Sequence, residues 1–281
     1  MKLVTLKDER RSGEKLGLVQ NGQILPFDFP DGMLGLIQAG SEALALVADR
    51  TAAGASIALA DAALAAPIAN PSKIMAIGKN YADHAIETKS AIPESPIVFA
   101  KFPTTIIGPA EAITWDPGLT AKVDFEAELA VIIGKPARRV SEAEALNYVF
   151  GYTCANDISA RDLQYGDKQW VRGKSLDTFC PLGPWLVSAD EIPDPQNLDI
   201  RCLVNGQTMQ ESNTAKMIFS VPYLISFLSQ AFTLLPGDII LTGTPEGVGH
   251  FREPPVFLKD GDEVTVEVGQ VGRLVNRCRT A

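Results

Sequence analysis

Residues 123–134, VDFEAELAVIIG, combine a run typical of a buried strand with two glutamates separated by one residue. Successive side chains of a strand point to opposite faces, so we expect Glu126 and Glu128 on the same side. Two carboxylates that close repel each other unless a cation lies between them, and oxygen ligands suit a hard divalent ion. The alternative is an amphipathic strand with an acidic face toward solvent. The stretch alone leaves both interpretations open.

A third carboxylate follows the next predicted strand, in GYTCANDISARDLQ at residues 151–164. The end of this strand can lie beside the centre of the first one, which would bring Asp157 to Glu126 and Glu128. Three carboxylates in one place favour Mg²⁺ or Mn²⁺. The alternative is that Asp157 forms an Asx turn or caps the segment that follows it.

The chain has only two histidines, His84 and His250, so a zinc site built from several histidines is not expected. His84 and Glu87 lie three residues apart in a segment of helical composition, NYADHAIETKS, and would share one face of a short helix or lid. A carboxylate that orients an imidazole makes it a suitable general base. The alternative is a surface histidine with a helical neighbour.

Cationic and loop residues supply further candidates. Lys174, in VRGKSLDTF, could neutralise negative charge that develops on a substrate, and Arg161 and Arg172 are comparable candidates. Each of these side chains could equally be solvated. A glycine-rich loop in LPGDIILTGTPEGVG, residues 235–249, carries Thr244 and could present backbone N–H groups to a carboxylate. A tight structural turn is the alternative.

The composition limits the classes of partner. The net charge of −9 argues against nucleic acid or an anionic membrane surface, and favours a small molecule bound at a locally positive site. Four scattered cysteines and the lack of an apolar leader predict a reduced, cytoplasmic protein.

Strand signals predominate along the chain, with Asn21-Gly22 and Asn205-Gly206 as hairpin turns. Residues 34–64 are rich in Ala and Leu and suggest one or two helices. Residues 66–73, APIANPSK, interrupt all periodicity. We therefore predict an α+β, β-dominated protein with a small N-terminal domain at residues 1–70 and a main domain at residues 71–281.

Five segments, in this order, resemble the fumarylacetoacetate hydrolase superfamily. They are IGKNYADHAIE at 77–87, DFEAELAVIIGK at 124–135, GYTCANDISARDLQ at 151–164, GKSLDTFCPLGPWLV at 173–187 and PGDIILTGTPEGVG at 236–249. The resemblance covers the main domain. It implies a β-roll catalytic domain with a small N-terminal α/β appendage, assembled as a homodimer, with Mg²⁺ or Mn²⁺ as cofactor.

The resemblance also implies roles for individual residues. The implied metal ligands are Glu126, Glu128 and Asp157. The implied catalytic residues are His84 and Glu87, which match the lid dyad of the acylpyruvate hydrolase branch, and Lys174. The implied substrate-binding residues are Gln164, Thr244 and Lys79, although many relatives have Arg in place of Lys79.

The function expected from this resemblance is hydrolytic C–C cleavage of a 2,4-diketo acid to pyruvate and a carboxylic acid, as in acylpyruvases. His84 would activate water for attack on the distal carbonyl. One alternative is an oxaloacetate decarboxylase or a keto-enol tautomerase, which needs the same metal and no attacking water. A second alternative is a non-catalytic binding module, which would need no histidine dyad.

Overall fold

A computed structural model of the protein describes residues 1–7, 15–50, 55–88 and 91–281. The strands of these residues are β1 (Lys2–Leu6), β2 (Lys15–Gln20), β3 (Gln23–Phe27), β4 (Ile57–Ala58), β5 (Leu64–Ala65), β6 (Ile74–Gly78), β7 (Ile97–Lys101), β8 (Ile106–Ile107), β9 (Ala112–Trp115), β10 (Val123–Asp124), β11 (Ala127–Ile133), β12 (Val149–Asn156), β13 (Ser159–Ala160), β14 (Cys180–Ser188), β15 (Asp199–Val204), β16 (Gln207–Asn213), β17 (Ile239–Leu241), β18 (Glu263–Val268) and β19 (Gly272–Thr280). The α-helices are α1 (Gly32–Arg50), α2 (Ala82–Glu87), α3 (Arg161–Gly166), α4 (Val171–Lys174) and α5 (Val221–Ala231). The predicted α+β, β-dominated fold class is confirmed.

Two large sheets organise the described residues. The first has the strand order β4-β3-β2-β1-β14-β12-β11-β17-β6-β7, with β5 paired to β1 and β8 paired to β14. The second has the order β16-β15-β18-β19-β9, and β10 pairs with β13 in a separate short ribbon. Strand β11 is therefore interior in the first sheet, between β12 and β17.

Both faces of β11 are buried, each in a different part of the core. Leu129, Val131 and Ile133 belong to the apolar cluster that also holds residues of the second sheet and α5. Ala130 and Ile132 belong to the cluster that holds the buried side chains of α1. This alternation follows from the two-residue period of a strand, and burial on both faces explains why residues 129–133 are apolar without interruption.

The two Asn-Gly turns form as predicted. Asn21 and Gly22 have φ values of 50° and 74° between β2 and β3, and Asn205 and Gly206 have 51° and 78° between β15 and β16. Positive φ at both central positions is what a type I′ hairpin requires, and Asn and Gly tolerate it.

The N-terminal segment joins the first sheet, because β1 pairs antiparallel with β14 of the main domain. The region predicted to hold one or two helices contains α1, which changes direction at Gly40 (φ 73°, ψ −158°), followed by short strands. The proposed domain division at residue 70 stays a prediction. Within the described ranges, no helix has the length and apolar character needed to cross a membrane.

Candidate active site

The expected continuous strand at residues 123–134 is wrong, because the strand is interrupted at Phe125 and Glu126 between β10 and β11. Side chains replace the missing ladder partners. The Phe125 N–H donates to Asp124 Oδ1, the Glu126 N–H to Asn156 Oδ1 and the Ala127 N–H to Gln210 Oε1, each at 2.9 Å. The three N–H groups thus have hydrogen-bond partners where the backbone leaves the sheet.

The three predicted metal ligands come together despite this interruption. Asp157 follows β12, and its N–H donates to the Glu126 carbonyl at 2.9 Å. One carboxylate oxygen from each of Glu126, Glu128 and Asp157 lies within 4.8 Å of the other two. All three side chains are buried, which rules out the exposed acidic face. Three converging oxygens from buried carboxylates fit a hard divalent cation.

The two glutamates have opposite electrostatic surroundings. Burial, followed by the charges of Asp157 and Glu126, raises the pKa of Glu128 well above its usual range. Burial would also raise the pKa of Glu126, but Lys174 and Arg161 outweigh it and hold that pKa well below the usual range. Glu128 is therefore the carboxylate with the least cationic compensation from the protein. A divalent cation at this position would supply the missing positive charge.

Two buried lysines contact the carboxylates. Lys174 Nζ donates to Glu126 Oε2 at 2.6 Å and to Asp157 Oδ2 at 2.7 Å. Burial alone would lower the pKa of Lys174, but Asp157 and Glu126 raise it, so this amine is a cation at neutral pH. Lys101, at the end of β7, donates to Asp157 Oδ1 at 2.6 Å and to the carbonyl oxygens of Lys174 and Ile158.

Lys101 was not predicted as a site residue. It ends an apolar strand with no motif around it, so its sequence context gives no sign that its amine is buried. The signal that could have found it is charge balance. Three buried carboxylates need compensating cations, and a lysine at the end of a strand is a candidate.

Arg161 is the second cation beside Glu126. Its Nη2 lies 2.7 Å from Glu126 Oε1 and 2.8 Å from Asp124 Oδ2, and its Nη1 donates to Gln164 Oε1 at 3.0 Å. The buried Asp124 thus holds the guanidinium in place, because it also accepts from Arg161 Nε at 2.8 Å. Arg172, the other arginine candidate, is exposed and pairs with Asp167. The structure therefore brings only Arg161 of the two into the site.

The predicted dyad forms on α2. His84 Nδ1 lies 2.9 Å from Glu87 Oε2, and Glu87 Oε1 accepts the Gly247 N–H at 2.9 Å. Because a carboxylate can only accept, Nδ1 carries the proton and Nε2 has a free lone pair. His84 is buried, so the interpretation as a solvated surface histidine fails. Lys89 and Ser90 of the predicted lid segment lie outside the described residues.

The glycine-rich loop connects the dyad to the carboxylates. The Gly243 N–H donates to Glu128 Oε2 at 2.7 Å, and the Gly247 N–H reaches Glu87. Gly243 has φ +98°, and a Cβ there would lie 2.7 Å from Asn80 Cβ, so glycine is required. Thr244 Oγ1 accepts from Gln210 Nε2 at 2.8 Å. The loop therefore presents N–H groups to carboxylates of the protein itself.

A cavity of about 370 Å³ lies over this arrangement. Among the residues that line it are the predicted residues Lys79, His84, Glu126, Gln164, Lys174 and Thr244. Its remaining polar wall includes Arg161, and its apolar wall includes Phe99, Trp170 and Phe251. The general base candidate, the cations and one metal-ligand carboxylate thus face a single space, although their roles stay predictions.

Comparison with protein families and curated sequences gives consistent matches. The family described as "Fumarylacetoacetate (FAA) hydrolase C-terminal" matches residues 73–279. The chain is 43% identical over 289 aligned positions to oxaloacetate tautomerase FAHD2A, mitochondrial, of Bos taurus, with 99% of this chain and 91% of the relative covered. It is 52% identical over 215 positions to oxaloacetate tautomerase fahd2, mitochondrial, of Xenopus laevis, with 76% of this chain and 67% of the relative covered.

Solved structures resemble the whole chain. Fumarylacetoacetate hydrolase from Exiguobacterium antarcticum has a TM-score of 0.89 at 36% identity, with both chains fully covered. Maleylpyruvate hydrolase from Sphingobium sp. SYK-6, crystallised with manganese (II) ion and pyruvate, has a TM-score of 0.84 at 32% identity, again with full coverage. Together with the carboxylate triad, this neighbour supports a metal-binding site.

These comparisons overturn two predictions. The expected hydrolase of C–C bonds in 2,4-diketo acids is wrong, because four curated relatives that match nearly the full chain are named oxaloacetate tautomerases. The metal site and dyad did not distinguish the two reactions, since both require stabilisation of negative charge on a 2-oxo group. The cytoplasmic location is also contradicted, because the same relatives are named mitochondrial.

Proposed function

The chain belongs to the fumarylacetoacetate hydrolase family, and from that premise we propose that it is an oxaloacetate tautomerase. The reaction interconverts the keto and enol forms of a four-carbon 2-oxo dicarboxylic acid. The site supplies the groups that this reaction needs, namely the oriented imidazole of His84 and a carboxylate triad of which Glu126 lines the same cavity. The same groups would also serve hydrolysis, so the observation that carries the choice of reaction is the similarity to relatives of that name. The relatives named oxaloacetate tautomerase support it at 43% identity over nearly the full chain.

The chemistry requires one proton to move between C3 and the oxygen on C2. In the keto-to-enol direction the C3–H bond breaks, its electron pair forms the C2=C3 double bond, and the C2 oxygen gains a proton. His84 Nε2 is the unprotonated nitrogen of the dyad and acts as the base that removes the proton from C3. Glu87 keeps Nδ1 protonated and stabilises the imidazolium that forms.

Negative charge develops on the C2 oxygen while the proton is held by His84. Lys174 and Arg161 are the cations that face the cavity beside Glu126. Glu126, Glu128 and Asp157 would hold Mg²⁺ or Mn²⁺, whose chemistry there is to polarise the 2-oxo group. Lys79, Gln164 and Thr244 are proposed to bind substrate.

The proposed partner is therefore a small keto acid, bound by a homodimer as the family resemblance implies. Neither nucleic acid nor a membrane is part of the proposal. Size-exclusion chromatography with light scattering would test the homodimer separately from the activity.

The test is to follow decay of the enol ultraviolet absorbance of oxaloacetate with Mg²⁺, with Mn²⁺ and with EDTA. We expect protein-dependent acceleration that EDTA abolishes. His84→Asn should lower kcat by about 10² to 10⁴, the range for loss of a general base. It should leave metal affinity unchanged, because His84 is not among the carboxylate ligands.

The matched control is Arg172→Ala, which changes an exposed cation outside the cavity lining and should leave the rate within about twofold. No acceleration by the metal-loaded wild type would refute the proposal. Release of pyruvate in step with the absorbance change would identify a decarboxylase instead.

A further inference from the structure

Both histidines of the chain line the same cavity, yet only His84 has a role in the proposed mechanism. The two imidazoles pack edge-on against one ring, that of Phe251, with centroid separations of 6.2 Å for His84 and 4.7 Å for His250. His250 is thus held beside the reaction space, on the segment that follows the glycine-rich loop.

The position of His250 is fixed on several sides. Its ring also contacts Tyr165, at a centroid distance of 5.2 Å, and Phe257, at 6.1 Å. Its backbone N–H donates to Asp124 Oδ2 at 3.0 Å, the same buried carboxylate that fixes Arg161. A side chain held by both backbone and ring contacts costs little further entropy when it binds a ligand.

The ring nitrogens of His250 have no hydrogen-bond partner among the residues that the structure describes. Nδ1 is buried without a hydrogen-bond partner among the described residues, so Nε2 is the nitrogen available to a ligand in the cavity. Burial, and then the charge of Arg161, lowers the pKa of His250, which keeps the imidazole neutral at neutral pH. A neutral ring with its proton on Nε2 leaves no unsatisfied N–H at the buried Nδ1.

The two cations beside Glu126 are paired with carboxylates of the protein. Lys174 contacts two carboxylates, and Arg161 contacts two carboxylates and Gln164. These groups lie beside Glu126, where the 2-oxo group of the substrate is proposed to bind. A second carboxylate of the ligand needs a further donor on the cavity wall, and His250 is a lining residue that can supply one in addition to Lys79.

We propose that His250 is a specificity-determining residue that donates a hydrogen bond from Nε2 to the distal carboxylate of a four-carbon 2-oxo dicarboxylic acid. The inference rests on the proposed function for the identity of this ligand. It assigns the two histidines different tasks. His84 transfers the proton, and His250 distinguishes oxaloacetate from 2-oxo acids that lack the second carboxylate.

The test compares pyruvate with oxaloacetate, because the two molecules differ by the distal carboxylate alone. Binding of each, freshly dissolved, is measured with Mg²⁺ through the fluorescence of Trp170, which lines the cavity. His250→Phe keeps an aromatic ring and removes the donor, and we expect the Kd of oxaloacetate to rise about tenfold or more. The Kd of pyruvate should stay within about twofold.

Two further variants separate hydrogen bonding from packing. His250→Gln retains a neutral donor and should recover part of the lost affinity for oxaloacetate. Phe257→Leu alters the ring behind His250 without removing a donor, and should change the two Kd values little and equally. Equal weakening of both ligands by His250→Phe, or no change for oxaloacetate, would overturn the proposal.

The outcome is independent of turnover. Binding that prefers oxaloacetate and loses this preference in His250→Phe would support the assignment of His250 even if the wild type fails to accelerate tautomerisation. Conversely, full tautomerase activity with unchanged ligand preference in His250→Phe would refute the assignment and leave the proposed function standing.

Discussion

Ion pairs of similar length occur in two regions that differ in burial. In the carboxylate–lysine cluster, defined as Glu126, Glu128, Asp157, Lys101 and Lys174, the paired atoms lie 2.6–2.7 Å apart and the side chains are almost fully buried. On the second sheet, exposed pairs span 2.8–3.1 Å, namely Arg201–Glu211, Arg273–Glu267 and Arg277–Glu263.

Similar distances therefore carry different consequences. Water screens the exposed pairs, whereas a charge in the cluster that loses its partner stays uncompensated. The pKa of Glu126 and that of Glu128 move in opposite directions inside the cluster because their partners differ. Burial, more than distance, decides which ion pair matters to stability and chemistry.

The largest effect is expected for Lys101→Met, which removes a buried cation and leaves Asp157 with one cation fewer. We expect the free energy of unfolding, measured by denaturant titration without added metal, to fall by about 3–5 kcal/mol. The matched control is Lys216→Met, since Lys216 Nζ pairs with Asp83 Oδ2 at 2.7 Å but is half exposed. Its cost should be much smaller than that of Lys101→Met, because water screens an exposed pair. Equal costs for the two variants would break the comparison.

A smaller effect is expected from pH, through Glu128. A divalent cation binds the carboxylate form, so below the raised pKa of Glu128 binding must release a proton. The affinity for Mg²⁺ should therefore increase with pH, by up to about tenfold per pH unit, until the pH passes that raised pKa. Glu128→Gln cannot release this proton, and its weaker binding should lose most of the slope. A wild-type affinity that is flat above pH 4.5 would contradict this account.

The raised pKa of Glu128 also decides how the stability of the metal-free protein changes with pH. The folded protein keeps the Glu128 proton at pH values where the unfolded chain has already lost it. Stability contributed by this group is therefore present below its ordinary pKa of 4.5 and decreases as pH rises through the raised pKa. Saturating Mg²⁺ should reverse this trend, and thermal unfolding with and without the ion would measure it.

Much of the carboxylate–lysine cluster could be predicted from the sequence. The two-residue spacing of Glu126 and Glu128, with Asp157 ending the next strand, was enough to bring three carboxylates together. It was not enough to show the interruption at Phe125, because side chains distant in sequence, from Asn156 and Gln210, supply the hydrogen bonds there.

The missed residues share a physical cause. Lys101 and Asp124 carry no spacing signal, and only the folded chain shows that each is buried against a charge of opposite sign. The sequence analysis mentioned His250 only in the count of histidines. Its ring contacts Tyr165 and Phe257 in the folded chain, and no spacing pattern in the sequence links these residues to it. The reaction could not be derived either, because a metal site and a dyad serve hydrolysis and tautomerisation alike.

The smallest effect is expected in the second region, for Arg277→Ala. Arg277 Nη2 lies 3.0 Å from Glu263 Oε2 across the β18–β19 ladder, and its side chain is 73% exposed. A double-mutant cycle with Glu263→Ala should give a coupling energy below about 1 kcal/mol, decreasing further at high salt, because water and ions screen the pair. Denaturant titrations of the two single variants and the double variant measure it. A coupling of several kcal/mol that salt does not reduce would show that burial is not what separates the two regions, and would remove the reason for expecting Lys101→Met to be costly.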